Sequence, residues 1–201
     1  MTDPIAQLSV VLSDLLDSPD PGDREKLRAW CRPDRPGEAD QLRAACDQVA
    51  RTLPLAAALN PRTTYRKGGL RTEYPSWVRL QMAEASLRFA SHRGRTCMHA
   101  NPDRAEPWFA CAWAPDLVTC GSCLHLAEPA AGSVLSRTCD QCGYVCPGPP
   151  GDGIRTIYLS EGPLVFAFGV CRTCWLDLPD VQDEPFAGSQ PRQGRKARRK
   201  R

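Results

Sequence analysis

Apolar positions follow a helical period through the N-terminal half of the chain and a strand period through much of the rest. Asp3-Pro4 reads as an N-cap with proline at the first helical position, and Ile5, Leu8, Leu12 and Leu15 then recur at three- and four-residue steps. This predicts an amphipathic helix ending before Pro19. Asp20-Pro21 repeats the start signal for a short helix with Leu27, Trp30 and Cys31 on one face, closed by Pro33 and Pro36. A third helix begins near Gly37-Glu38 and aligns Leu42, Ala45, Cys46, Val49 and Leu53, with Pro54 ending or kinking it. Residues 60–74, including Gly68-Gly69, hold no period and read as a loop. Pro75 opens a fourth helix to about Ser91, whose stripe of Val78, Met82, Ala85 and Phe89 is widened by Trp77, Leu80 and Leu87. That stripe is expected to pack against the first three helices. Beyond it the period becomes two. Residues 108–113 alternate, 117–119 run into Cys120, and 154–159 with 164–170 read as a hairpin turned at Ser160-Glu161-Gly162-Pro163.

The turns between these strands carry the chemistry. Metal-ligand residues arrive in four pairs: Cys97-x-His99, Cys120-x-x-Cys123, Cys139-x-x-Cys142 and Cys171-x-x-Cys174. A two-residue gap lets both thiols of one tight turn face the same ion while backbone amides brace the sulfurs, and eight ligands fill two tetrahedral zinc sites. Sequential pairing is expected, pairs one and two on one ion and three and four on the other, because each ion then closes one hairpin. A cross-brace is the alternative, but the RING order is not met, since no Cys-x-x-Cys precedes Cys97. The fourth ligand of the first site lies among His99, Cys111 and His125. His99 is the choice; alternation puts Cys111 in an apolar layer with Phe109 and Trp113, while His125, two residues past its knuckle, could replace His99. Cys146 is read as an unliganded spare, and Cys31 and Cys46 as small buried hydrophobes.

Thr138-Cys139-Asp140-Gln141-Cys142-Gly143 places glycine where a knuckle favours positive φ. Knuckle, hairpin and knuckle in that order, over residues 138–175, resemble the zinc-ribbon class. The resemblance implies a structural site; members of the class sit in nucleic-acid and transcription proteins, and many only hold a domain together. The fold class expected is therefore α+β. A helical bundle over 1–95 is followed by a β-hairpin-based module over 96–178 with two structural zinc ions, then by a disordered linker and basic tail over 179–201.

Eleven cysteines in 201 residues would also suit a disulfide framework. However, no signal peptide is visible: the apolar run over 5–16 has no basic residue before it and is broken by Ser9, Ser13 and Asp14. A cytoplasmic metal protein is expected. No stretch approaches the roughly 20 continuous apolar residues of a membrane helix.

Charge divides into three blocks. Residues 1–96 hold 15 Lys/Arg against 12 Asp/Glu, residues 97–190 hold 4 against 11, and residues 191–201 hold 7 against none. With seven thiolates and two Zn²⁺ the middle block reaches about −10. An acidic zinc module does not itself suit phosphate. The cationic candidates lie on either side of it: Arg66, Lys67 and Arg71 among eight Lys/Arg between Arg62 and Arg95, and Arg195, Lys196, Arg198, Arg199 and Lys200 in the tail. No Walker loop, Gly-x-Ser-x-Gly, His-Glu-x-x-His or zinc-deaminase signature occurs, and no histidine lies in 143–170 for an HNH-type nuclease. Neither an enzyme nor a small-molecule substrate is implied. The expected function is a zinc-binding, nucleic-acid-associated protein; the second reading is an adaptor whose acidic module docks a partner protein.

Overall fold

The stripe read over residues 42–53 becomes helix α1, Glu38–Leu59. Ala45, Val49 and Leu53 are buried along it, with Leu42 half-buried. Pro54 does not end this helix but lies inside it. The final turns face solvent, with Leu55 and Leu59 exposed, so water can take up the carbonyl that proline leaves without a donor. The computed structural model describes residues 38–60, 62–67, 74–90, 92–101, 104, 106–147 and 153–179. The helices expected before residue 37, Arg71 and the basic tail lie outside the described residues.

The supposed loop over 60–74 contains a strand, β1, Thr63–Lys67. Its sequence, TTYRK, shows no apolar alternation, but Thr and Tyr suit extended backbone, and every residue is registered in parallel with Thr156 to Ser160. Helix α2 follows over Ser76–Ala90, then β2 (Arg95–Thr96), β3 (Trp108–Cys111), β4 (Ala114–Cys120), β5 (Ile154–Glu161), β6 (Leu164–Cys171) and the short helix α3 (Arg172–Leu176). The strands form one sheet in the order β1-β5-β6-β3-β4-β2. Within it β5–β6 and β3–β4 are antiparallel hairpins, while β1–β5, β6–β3 and β4–β2 are parallel. The hairpin of the ribbon-like segment is thus not free-standing.

Every residue of β6 is buried. A strand apolar on both faces must be covered on both. Val165 meets Val49 and Leu53 of α1 on one face. Leu164, Phe166, Phe168 and Val170 join Val78, Met82, Ala85 and Phe89 of α2 on the other. Trp77 meets Phe168 edge-on, ring centroids 5.4 Å apart, and Phe89 meets Trp108 at 4.5 Å. The two helices therefore cover opposite faces of a sheet, which corrects the expectation that the fourth helix packs against the third. β1, α1 and α2 share this sheet and core with the cysteine-bearing strands.

Candidate metal centres

Strand β4 ends at Cys120, whose backbone is extended (φ −75°, ψ 167°), and the chain then tightens into a 3-10 turn over Gly121–Leu126 that carries Cys123. The partner pair follows β2 directly. The Cys97 amide donates to the Val118 carbonyl at 3.3 Å, and the Cys120 amide donates to the Cys97 sulfur at 3.3 Å. His99 Nδ1 lies 3.2 Å from the Cys123 sulfur.

The second set is built the same way. Strand β6 ends at Cys171 with nearly the same backbone (φ −72°, ψ 169°), and α3 carries Cys174. Opposite it, Thr138 and Val145 pair as an antiparallel bridge. The Cys139 amide donates to the Tyr144 carbonyl and the Gly143 amide to the Cys139 carbonyl, both at 2.8 Å, around Gly143 at φ +71°. The Cys142 and Cys171 sulfurs stand 3.8 Å apart.

In each set the four ligand atoms lie within 4.8 Å of one another: Cys97, His99, Cys120 and Cys123 in one, Cys139, Cys142, Cys171 and Cys174 in the other. Sulfur and nitrogen donors on one tetrahedral zinc are about 3.3–3.8 Å apart, given bonds of about 2.0–2.3 Å. Two Cys/His clusters able to hold metal ions are therefore present, grouped by sequential pairing. His125 is exposed, its Nδ1 3.1 Å from the Ser122 carbonyl, and stands outside the first set.

The electrostatics of each set fit a cation. Burial opposes ionisation of Cys97, but amide hydrogen bonds from Cys120, His99 and Ala100 hold its thiol down at about 7. Burial and the neighbouring Cys120 and Cys97 sulfurs push Cys123 up to about 11. In the second set a hydrogen bond from the Tyr144 backbone lowers Cys142, whereas burial raises Cys139 and Cys174. In the first cluster the Cys97 thiolate is favoured while Cys123 resists joining it, and in the second the Cys142 thiolate is favoured while Cys139 and Cys174 resist. A divalent ion at the common centre removes that conflict, and proton release then accompanies binding.

The two assemblies share an order of parts: a ligand pair, an antiparallel hairpin, then a strand-end Cys-x-x-Cys opening a short helical turn. Their central strands β6 and β3 run parallel, with Trp108 level with both Leu164 and Cys120. Seven residue steps of β6 therefore separate the sets along the sheet, roughly 23 Å at about 3.3 Å per residue. After β4, Ala127 packs with Ala167 on one face; after β6, Trp175 packs with Phe166 and Phe168 on the other. One cluster therefore lies at each end of the strands.

Other singled-out residues fall elsewhere. Cys111 is fully buried beside Leu117, Ala127 and Ala167, and burial pushes its thiol up to about 12. Cys146 is buried outside the second set, its thiol donating to the Gly153 carbonyl at 3.2 Å. Among the basic residues, Arg79 is buried and donates to the Tyr74 carbonyl, Arg88 pairs with Glu84, and Arg95 with Asp116 at 3.4 Å. Arg66 is half-buried and donates to the Tyr65 carbonyl, and Lys67 closes β1.

Sequence reasoning passed over two supports of the second cluster. Asp140 clips its knuckle to β6: its amide donates to the Gly169 carbonyl at 2.8 Å, and its carboxylate, pushed up to about 6 by burial, accepts the Gly169 amide at 2.6 Å. Arg155 is buried, donates to Thr64 at 2.8 Å and lies 4.5 Å from the centroid of the Trp175 ring. Asp140, inside a Cys-x-x-Cys, carried a local signal; Arg155 carried none.

No family model matches the chain, and neither the curated proteins nor the solved structures contain a match.

Proposed function

We propose that the protein is a non-catalytic, zinc-stapled domain that associates with nucleic acid through cations outside its metal centres. The observation carrying the structural half is the convergence of four Cys/His donors at each end of one sheet. A catalytic zinc keeps three protein ligands and an open position; four donors close the coordination sphere. Each ion then fastens the end of a hairpin to the turn beside it. Contact with a polyanion falls to Arg66, Lys67 and Arg71 and to the tail residues Arg195, Lys196, Arg198, Arg199 and Lys200, seven Lys/Arg in the last eleven residues being the support. Metal analysis of protein purified under reducing conditions, then a pull-down with and without nuclease, tests both halves. Deleting residues 191–201 should weaken binding and flatten its salt dependence, each phosphate contact contributing roughly 0.7–0.9 to the log–log slope.

One observation favours a protein partner instead. Met98, Leu126, Val134, Leu135, Val145 and Leu176 are exposed on the acidic module. Nuclease-resistant capture of a specific protein, with no oligonucleotide binding at low salt, would select that reading.

A further inference from the structure

The acidic block over 97–190 contains four basic residues: Arg104, Arg137, Arg155 and Arg172. Arg155 is buried against Trp175. Two of the other three flank the second metal centre. Arg137 immediately precedes the Thr138–Val145 bridge and its carbonyl accepts the Cys146 amide at 2.8 Å. Arg172 lies between Cys171 and Cys174 and is exposed. Neither is ion-paired among the described residues, and the Arg137 Nε is buried without a hydrogen-bond partner. Uncompensated cations here are unexpected in a block of this charge.

The same knuckle carries Tyr144. It is the exposed aromatic of the described residues, at 54 %, whereas Tyr74 is buried and Tyr65 is half-buried with its hydroxyl 2.9 Å from that of Ser160. Its backbone is fixed by the Cys139 amide and by the left-handed turn at Gly143. The 3.8 Å approach of Cys142 to Cys171 brings Tyr144 and Arg172 to the same end of the sheet. An exposed ring on a fixed knuckle, at the end of the sheet that also carries Arg137 and Arg172, suits an unpaired base stacked on the ring with its phosphates met by cationic side chains of that end. A duplex offers no free base face, and the surrounding acidity disfavours tracking its backbone.

We infer that the knuckle face of the second metal centre, Tyr144 with Arg137 and Arg172, is a contact site for single-stranded nucleic acid. This rests on the nucleic-acid reading above and adds a base-stacking site to a tail that supplies charge alone. The test uses the zinc-loaded full chain and fluorescein-labelled single-stranded DNA, single-stranded RNA and duplex DNA of mixed sequence, followed by anisotropy at several salt concentrations. Tyr144→Ala should weaken single-strand binding roughly 5- to 150-fold, Tyr144→Phe should restore it, and duplex binding should change little. Arg172→Ala should lower the single-strand salt slope by about 0.7. All three variants should keep their zinc. If the parent binds single strands and neither alanine variant changes that, this face is refuted while the tail reading stands. No binding by the parent refutes both. Loss of zinc from Arg172→Ala, with Tyr144→Ala unaffected, would mean that the arginine serves the ion, and would overturn the inference. Equal weakening on duplex and single strand would also overturn it.

Discussion

Replacing Trp175 by alanine tests whether the second metal centre is anchored in the core or hangs from it. Trp175 follows Cys174 directly, is fully buried and packs among Phe166, Phe168 and Leu178. Removing a buried tryptophan costs about 3–5 kcal/mol through lost transfer energy and the cavity left behind. The ring also lies under the Arg155 guanidinium at 4.5 Å, and a desolvated contact of that kind adds up to about 2 kcal/mol. A total of roughly 3–7 kcal/mol is comparable with the whole stability of a marginal domain, commonly about 5–15 kcal/mol. Urea denaturation of the zinc-loaded protein, followed by far-ultraviolet circular dichroism, should show a large fall in midpoint, and zinc should leave at lower denaturant than in the parent. Trp175→Phe, which keeps a ring over Arg155, should lose less than half as much. A change below about 1 kcal/mol for Trp175→Ala, within the range of ordinary surface substitutions and a little beyond, would refute the anchoring.

Three further outcomes follow. Gly169→Ala places a Cβ 2.8 Å from Ile154 Cγ2 and 3.6 Å from the Asp140 carboxylate, so it should cost about 1–3 kcal/mol in the same denaturation assay; a neutral result would contradict the close packing of the Asp140 clip. By zinc analysis, His99→Ala should lose one ion, while His125→Ala and Cys146→Ser should lose none; the reverse order would redraw the first set. Cys111, its thiol pushed up to about 12 by burial, is protonated at pH 8 and should resist alkylation in the native protein; rapid native labelling seen by mass spectrometry would place it outside the core.

The two Cys/His clusters were legible because metal-ligand spacing is written locally. Two cysteines two residues apart can face one ion, so the four pairs could be read without the fold; alternation spoke against Cys111 but left His125 open, and it is the fold that groups His99 with Cys97, Cys120 and Cys123. The helical stripes were equally local: Val78, Met82, Ala85 and Phe89 are all buried as their spacing requires. What those stripes pack against was not legible. Periodicity states that a face is apolar but not what covers it, and the covering surface is β6, from the far end of the described chain. β1 was missed for a related reason, since its pairing with β5 spans more than ninety residues and its own sequence carries no alternation. A count of arginines also ignores partners: of the eight Lys/Arg between Arg62 and Arg95, Arg79, Arg88 and Arg95 are held by Tyr74, Glu84 and Asp116.

The measurement bearing most directly on the account is native mass spectrometry of the reduced full chain with single ligand substitutions at each end of the sheet. The parent should carry two zinc ions. Cys123→Ser and Cys174→Ser should each carry one, and the double variant none, because the sets are independent and about a strand length apart. A parent with a single ion, or one substitution that empties both sites while the chain stays folded, would contradict two closed centres stapling opposite ends of one sheet.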